Sequence, residues 1–277
     1  MRLTAEITTD LLAKLISILS SCGSDVVLHF SEESLSLCIP HDTGQIGVWV
    51  GCDIISCFNK YEVRSNVSNT VSMKLNPAQL AQALISNTSP SIQLHLSRTN
   101  DFVYLQLTHK SLDTLRKLEH RVPIILLMPS VIQQYAEPEW ELASMCSKFP
   151  PLRAVVNWCS NAKSIHHHIS ISLKHSNTTG NIDAVFRVEN EMVCVSTTFY
   201  DLKPEQDDET ETNSKNSDCE VYVDLKKFIK ILRVVNLQPT IGLIYIVDKK
   251  YIRLHFEVPA GAASAVSMTY FLNASSQ

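Results

Sequence analysis

Residues Ser72–Leu107 (SMKLNPAQLAQALISNTSPSIQLHLSRTNDFVYLQL) lie without a gap on Val221–Phe256 (VYVDLKKFIKILRVVNLQPTIGLIYIVDKKYIRLHF). Asn87 falls on Asn236, Pro90 on Pro239, Ile92 on Ile241, Leu94 on Leu243 and Leu105 on Leu254. Each copy reads as strand, amphipathic helix, hairpin. A repeat of this size restricts the fold to a tandem of like modules. The 277 residues are enough for two such domains, each with its own core.

Hydrophobic periodicity fills in the modules. In Thr9–Cys22 the residues Leu11, Leu12, Leu15, Ile18 and Leu19 share one helical face. Thr8, Thr9 or Asp10 serves as its cap and Gly23 as its end. Val26–Phe30 and Ser34–Ile39 alternate as strands, and Ile46–Ile54 continues the sheet. Asn76 or Pro77 opens a second helix that runs to about Asn87. Ile92–Leu96 and Phe102–Leu107 make a hairpin around Thr99, Asn100 and Asp101.

The second half follows the same plan. A helix spans Leu152–Ala162 behind Pro150 and Pro151, and strands span Ile165–Leu173, Ile182–Val188 and Met192–Phe199. A strand at Val221–Val223 leads into the helix Leu225–Val235, capped by Asp224. Ile241–Val247 and Tyr251–Val258 form the last hairpin, with Ser267–Leu272 as the final strand. The result is an α+β fold: two similar domains, each with two helices packed on one face of antiparallel sheet. The expected boundaries are an N-terminal domain over 1–118, a connector over 119–138 and a C-terminal domain over 139–277. In the connector, Pro123, Pro129 and Pro138 bracket an apolar run, which reads as extended, surface-lying chain.

The formal net charge of −4 argues against a nucleic-acid binder if taken as a whole. It is concentrated in one place. The run Glu205–Asp218 (EQDDETETNSKNSD) holds six acids and a single base, and without it 23 bases face 22 acids. The run contains no apolar residue, so it cannot offset its ordering entropy and reads as a disordered acidic loop. Against this neutral body the fourth helix stands out. Leu225, Phe228, Ile229 and Leu232 face the core, while Lys226, Lys230 and Arg233 share the opposite face beside Lys227. Such a cationic stripe suits phosphates; a merely solvated polar face is the plainer alternative. The other helices offer Lys14 on the first, Arg153 and Lys163 on or beyond the third, and Lys74 before the second, with neutral Ser17, Ser20, Gln79, Gln82 and Asn157 around them.

Catalytic patterns are missing: there is no phosphate-binding P-loop, dinucleotide fingerprint, nucleophile elbow or zinc-protease helix. In His166–His168 only the outer two share a side of a strand, too few for a metal, so neither metal nor cofactor is expected. The eight cysteines show no C-x-x-C, and Cys52 and Cys57 fit core thiols better than a redox pair. The start MRLTAEITTD lacks a basic-then-apolar leader, and the longest nearly apolar run, Val122–Met128, is too short for a bilayer. A soluble intracellular chain without membrane contact and with free thiols is expected.

The doubled order of elements and the proline-bounded connector resemble DNA sliding clamps related to proliferating cell nuclear antigen. Within that group Glu189–Leu202 (ENEMVCVSTTFYDL), the connector start His120-Arg-Val-Pro-Ile, Gly47-Val-Trp49 and Val221-Tyr-Val-Asp-Leu-Lys-Lys227 are similar to the Hus subunit family of the heterotrimeric DNA-damage checkpoint clamp, the nine-one-one complex. The connector pattern Gln-Leu-Gly-Ile-Pro of the replicative clamp is absent. The resemblance implies a non-catalytic, nuclear ring subunit. It would encircle double-stranded DNA without sequence preference beside two homologous clamp subunits. A clamp loader would place the ring, and checkpoint and repair proteins would be its clients.

The resemblance also implies sites. Lys14, Lys74, Arg153, Lys163, Lys226, Lys227, Lys230 and Arg233 would face DNA. Thr114, Leu115 and Leu118, from the strand near Thr114–Arg121, and Met192, Cys194, Ser196 and Thr198 would form the subunit edges. Partner peptides would dock on Ile124, Ile125, Leu126, Leu127 and Met128 with Ile39, Pro40 and Tyr270 as floor; packing of this strip against the sheets is the competing reading. A self-trimerising processivity clamp and an enzyme on a duplicated fold are the alternatives. Sizing of the purified chain separates the first of these, and a cleft with strongly perturbed carboxylates or histidines would mark the second. Deleting Glu205–Asp218 is expected to leave the melting temperature almost unchanged, and a large drop in a thermal melt would show that the run is ordered.

Overall fold

The computed structural model describes residues 2–7, 10–41, 45–66, 69–85, 91–110, 117–176, 179–205, 218–261 and 264–275. The chain forms two compact units. The first comprises Met1–Pro40, Val48–Glu137 and Pro259–Ser267, and the second His41–Gly47, Pro138–Val258 and Met268–Gln277.

The first unit begins with β1 (Arg2–Ile7), where Leu3, Ala5 and Ile7 are buried and alternate with exposed or half-exposed neighbours. Helix α1 (Asp10–Cys22) buries Leu12, Leu15, Ile16, Ile18, Leu19 and Cys22, and the Gly23 amide closes its end on the Leu19 carbonyl at 3.3 Å. The hairpin β2 (Val26–Phe30) and β3 (Ser34–Ile39) leads to β4 (Gly47–Asp53), the single-turn helix α2 (Ile54–Cys57) and β5 (Phe58–Arg64). Next come β6 (Val71–Leu75) and α3 (Pro77–Leu84). Pro77 occupies the first turn, where no amide donor is needed, and the Asn76 side chain accepts from the amides of Ala78 and Gln79. Strands β7 (Ile92–Thr99), β8 (Phe102–Lys110) and β9 (Lys117–Leu126) follow, then the one-turn helix α4 (Pro129–Ile132). Hydrogen bonding orders the strands β4-β3-β2-β6-β9-β8-β7-β1-β5. Helices α1 and α3 pack on each other.

The second unit holds β10 (Met145–Lys148), α5 (Leu152–Ala162), β11 (His168–His175), β12 (Ile182–Glu189), β13 (Cys194–Leu202), β14 (Cys219–Asp224), α6 (Leu225–Ile231), β15 (Ile241–Val247) and β16 (Tyr251–Pro259). The last strand, β17 (Ala265–Asn273), follows β16. One sheet runs β13-β12-β11-β14, and β10, β15 and β16 pair in that order in another. Helix α5 packs on α6.

The repeat is carried into backbone geometry. Shifting β7 and β8 by the offset that places Ser72 on Val221 gives strands beginning at Ile241 and Tyr251, where β15 and β16 begin. Asn100, in the turn of the first hairpin, has φ 55°, and its counterpart Lys249 has φ 56°. Left-handed backbone at the same point of both hairpins sets the same turn twice, once with Asn, which tolerates it, and once with Lys, which does not.

Several expectations shift. Strands β1, β5 and β10 were not foreseen, although Leu3, Ala5 and Ile7 alternate plainly. Ile54, expected to extend a strand, starts α2. The final helix stays α only to Ile231, and Leu232–Leu237 winds as a 3-10 helix. Its buried residues explain this. Leu225, Phe228, Ile231, Val234 and Leu237 are buried at every third position, which matches the 3-10 period, and Leu232 is buried beside them as expected. Ile229, expected in the core, is only half-buried. Glu119–Leu126, expected as the start of the connector, belongs to β9, paired with β8 through Pro123 and with β6 from Ile124. Pro123 sits at this change of partner, where a missing amide donor is tolerated. Thr8 and Thr9 as caps, Asn87 and Pro90 of the repeat, and most of the acidic run lie outside the described residues.

Replacing Lys249 by Gly removes the left-handed penalty. It should stabilise the protein by on the order of 0.5–1 kcal/mol in chemical denaturation, with Asn100→Gly giving less. Burial lowers the pKa of both His29 and His109. Their contribution to stability is therefore full above the ordinary imidazole value. It is lost as pH falls through that value toward the lower folded one, where the unfolded chain takes up protons first. The melting temperature should drop between about pH 7.5 and 5.5, and the drop should shrink in the His109→Gln variant.

Candidate nucleic-acid interface and subunit edges

Helix α6 displays its bases through its own packing. Buried residues at every third position set one row against the core. Lys227, Lys230 and Arg233 therefore form a second row at the same spacing, with exposed Lys226 beside them. Lys230 stands in the last turn of α6 and Arg233 in the 3-10 segment that follows it, three residues on. The Asp224 side chain accepts from the Lys227 amide at 2.9 Å, so this carboxylate caps the helix. Helix α5 carries Arg153 near its start and Lys163 at its C-cap, both exposed, and α1 carries exposed Lys14.

A division of charge runs through both units. Among the described residues none of Lys14, Arg153, Lys163, Lys226, Lys227, Lys230 and Arg233 makes an ion pair, and Asp10 is the sole carboxylate within α1, α3, α5 and α6. Many cations on the strands and their turns are paired instead, although Arg98, Arg121, Lys148 and Lys174 make no ion pair among the described residues. Lys60 meets Glu6 at 3.2 Å, Arg64 meets Glu62 at 2.7 Å, and Lys250 meets Glu141 at 2.6 Å. Lys117 pairs with Glu119 and Arg187 with Glu189. The Lys117 ammonium, through its hydrogen bond, holds the Glu119 carboxyl below its ordinary range.

Lys74 belongs to the paired class and departs from expectation. It alternates with buried Met73 and Leu75 on β6 and so points to the opposite face, where it meets Asp25 at 3.3 Å. Its register partner there is exposed Ile125, so it sits with the expected docking strip and apart from the helical bases.

Strands β13 and β9 are among those with unpaired flanks. Strand β13 ends its sheet and is bonded only to β12. Ser196 and Cys194 are exposed along it and Thr198 is half-buried. Met192, 92% exposed, lies in the turn before this strand, where the Asn190 side chain accepts from the amides of Met192 and Val193. A bulge at Asp201, with φ 63°, ends the regular pairing. In β9 the stretch Lys117–Val122 is bonded to β8 alone, with Leu118 exposed on it. Thr114 and Leu115 lie outside the described residues. Behind β9, His109 is buried and its Nε2 lies 2.9 Å from the Ala83 carbonyl, with the His120 ring 5.4 Å away. Behind β13, Phe186 links Trp158 of α5 to Phe199, edge to face at 6.3 and 5.6 Å.

The expected docking strip divides. Ile124 is buried in β9, whereas Ile125 (64%), Leu126 and Met128 (70%) are exposed and Leu127 is half-buried. The floor is corrected: Tyr270 is fully buried and Ile39 nearly so, which leaves a partner nothing to touch, and Pro40 is half-buried. The connector is fixed within each unit by a tryptophan. In the first, Trp49 Nε1 donates to the Tyr135 carbonyl at 3.2 Å. In the second, Trp140 stacks on Phe271 at 5.2 Å, and Phe271 also touches Tyr251 and His41. The Arg253 guanidinium lies 3.9 Å from the Tyr245 ring and 5.5 Å from that of Trp140. Sequence reading missed this cluster; its signal was a lone Trp between glutamates in an otherwise polar stretch, which surface linkers rarely carry.

His166, His167 and His168 cluster with ring separations of 5.5–6.2 Å, but His166 and His167 precede β11 in a turn. No group of three or more His, Cys, Asp or Glu among the described residues is placed to hold a metal. No described helix is long and apolar enough to cross a membrane.

Similarity to known proteins spans the whole chain. Human "Checkpoint protein HUS1" is 24% identical over 273 residues, covering 94% of this chain and 93% of that protein. The "Checkpoint protein hus1 homolog" of Dictyostelium discoideum is 23% identical over 246 residues, with 87% and 88% covered. Two solved clamps share the fold at a TM-score of 0.71, each with 99% of both chains covered. They are the A. fulgidus PCNA bound to the C-terminal region of FEN-1, 14% identical, and the Proliferating Cellular Nuclear Antigen from Entamoeba histolytica, 11% identical. Residues 1–276 match the profile described as Hus1-like protein, and the chain belongs to that family.

Proposed function

We propose that this chain is one of three two-domain subunits of a ring-shaped checkpoint clamp that encircles DNA at damage sites, promotes checkpoint kinase signalling and recruits repair factors. The observation that carries the reading is the division of charge: among the described residues the cations on α1, α5 and α6 make no ion pair, while many strand cations are neutralised within the fold. Helices with free cations and almost no carboxylates suit a surface turned toward a phosphate backbone. Lys14, Arg153, Lys163, Lys226, Lys227, Lys230 and Arg233 are its contacts; Lys74 is not.

The chain's own residues account for sliding. Phosphate contacts from Lys and Arg carry no sequence information, so they guide a duplex without halting at a base. A closed ring supplies residence by enclosure, so a thin lining suffices. Ring closure uses the flanks of β9 and β13, whose unpaired amides and carbonyls otherwise invite aggregation. Two homologous subunits occupy those flanks, and a clamp loader opens one of them. Exposed Ile125, Leu126 and Met128 offer apolar contacts to partner peptides. The chain takes part in no catalytic step, and it works in the nucleus.

The test is charge reversal in the assembled ring. The triple variant Lys226→Glu, Lys230→Glu, Arg233→Glu should assemble normally yet leave DNA sooner. The log–log salt slope of its binding should be shallower by about 0.9 for each phosphate that is no longer neutralised. Lys74→Glu should leave both unchanged. Equal retention of the triple variant at low salt would overturn the assignment of the stripe.

A further inference from the structure

Cys52 is the penultimate residue of β4 and Cys57 ends α2, and their sulfurs stand 3.7 Å apart, both buried in the first unit. The sequence suggested inert core thiols; the geometry adds proximity, since only about 1.7 Å separates this spacing from a disulfide bond. We infer that Cys52 and Cys57 form a reversible intramolecular disulfide when the protein meets a hydroperoxide, making the β4–α2 junction a site of oxidative modification that is independent of the DNA-facing helices.

Three observations support this. First, the sulfurs are in hydrogen-bond contact, either thiol being able to donate, and the Cys52 thiol can alternatively donate to the Leu35 carbonyl at 3.5 Å. Secondly, the two cysteines differ in acidity. The hydrogen bond from Cys52 lowers the pKa of Cys57, while that same bond, burial and Asp53 raise that of Cys52. Cys57 is the nucleophile and Cys52 the resolving thiol. Thirdly, α2 is a single turn of four residues whose N-cap Asp53 makes no side-chain cap bond, and Ile55 at its centre is 80% exposed. A short uncapped turn opens at low cost, which admits a small oxidant to otherwise buried sulfur.

The chemistry balances with hydrogen peroxide as oxidant. The Cys57 thiolate attacks one peroxide oxygen, the O–O bond breaks, and hydroxide leaves, taking a proton to become water. Cys57 is now a sulfenic acid. The Cys52 sulfur then attacks Cys57 Sγ; the S–O bond breaks, and the departing hydroxide takes the Cys52 proton as a second water. Two thiols are oxidised and one peroxide is reduced. A dithiol reductant reverses the change by exchange. Cys194, exposed on β13, is an internal reference for the reach of the oxidant.

The experiment treats the full chain with hydrogen peroxide, alkylates under denaturing conditions and maps peptides without reduction. The expected result is loss of Cys52 and Cys57 alkylation together, with their shared peptide lighter by two hydrogens and restored by dithiothreitol. In Cys52→Ser the reaction should stop at Cys57 sulfenic acid, trapped by dimedone, and in Cys57→Ser neither product should form. Because serine in this core disturbs packing, the wild-type peptide map decides the outcome alone. Cys52 and Cys57 both remaining alkylatable after peroxide has oxidised Cys194 would overturn the inference.

Discussion

Burial of one face of each helix against its unit is the constraint on which the rest depends. In α6 and its 3-10 extension the buried face holds Leu225, Phe228, Ile231, Leu232, Val234 and Leu237, which turns Lys226, Lys230 and Arg233 outward. What stands at the outward positions decides the electrostatics. In α1, α3, α5 and α6 those positions hold Lys, Arg and neutral side chains, with Asp10 as the sole carboxylate. An acid on these faces would neutralise a neighbour three or four residues away. Its absence leaves these cations without ion pairs among the described residues, and carboxylates such as Glu6 and Glu62 lie beside strand cations, Lys60 and Arg64. The cationic face of the helices therefore follows from packing and composition together. The whole-chain charge hides it, because so much of the negative charge lies in Glu205–Asp218.

The second constraint is the management of sheet edges. An antiparallel sheet always ends in strands whose outward amides and carbonyls lack partners. At β13 the regular edge ends in a bulge at Asp201, and at β9 the free stretch gives way after Val122 to pairing with β6. Each free edge is thus of limited length. Each is also backed by side chains of mixed character: His109 and His120 behind β9, and Trp158, Phe186 and Phe199 behind β13.

Much of this was legible in the sequence. The repeat gave the hairpin starts at Ile241 and Tyr251 to the residue, because a gapless alignment transfers register as well as element type. Helices α1, α3 and α5 were readable from their 3.6-residue rows and from Asn76, Pro77 and Pro151. Three features escaped, each for a physical reason. The end of α6 was read with the wrong period, since a 3-10 segment and an α-helix differ by little over so few residues. Glu119–Leu126 reads as a linker because Pro123 brackets an apolar run with Pro129 and Pro138, whereas the strand changes partners at Pro123 and needs no amide there. Lys74 was counted with the helical bases because it precedes a helix in the chain; strand alternation turns it to the other face.

The same reasoning bears on what the connector can do. An apolar linker over a sheet has two uses, to staple or to receive a partner, and composition does not separate them. Residue by residue they separate. Trp49 and Trp140 are engaged, by a hydrogen bond and by ring stacking, and Tyr270 and Ile39 are buried. Ile125, Leu126 and Met128 remain exposed, next to Lys74 on the same face of the sheet as Ile125. Stapling is therefore done by the aromatic residues and availability is left to the aliphatic ones. A peptide seated there would meet branched side chains on a paired strand, held in place by the β9–β6 ladder rather than by a loose loop. Recognition built on such a strand loses little ordering entropy on binding, because the receiving surface is already fixed.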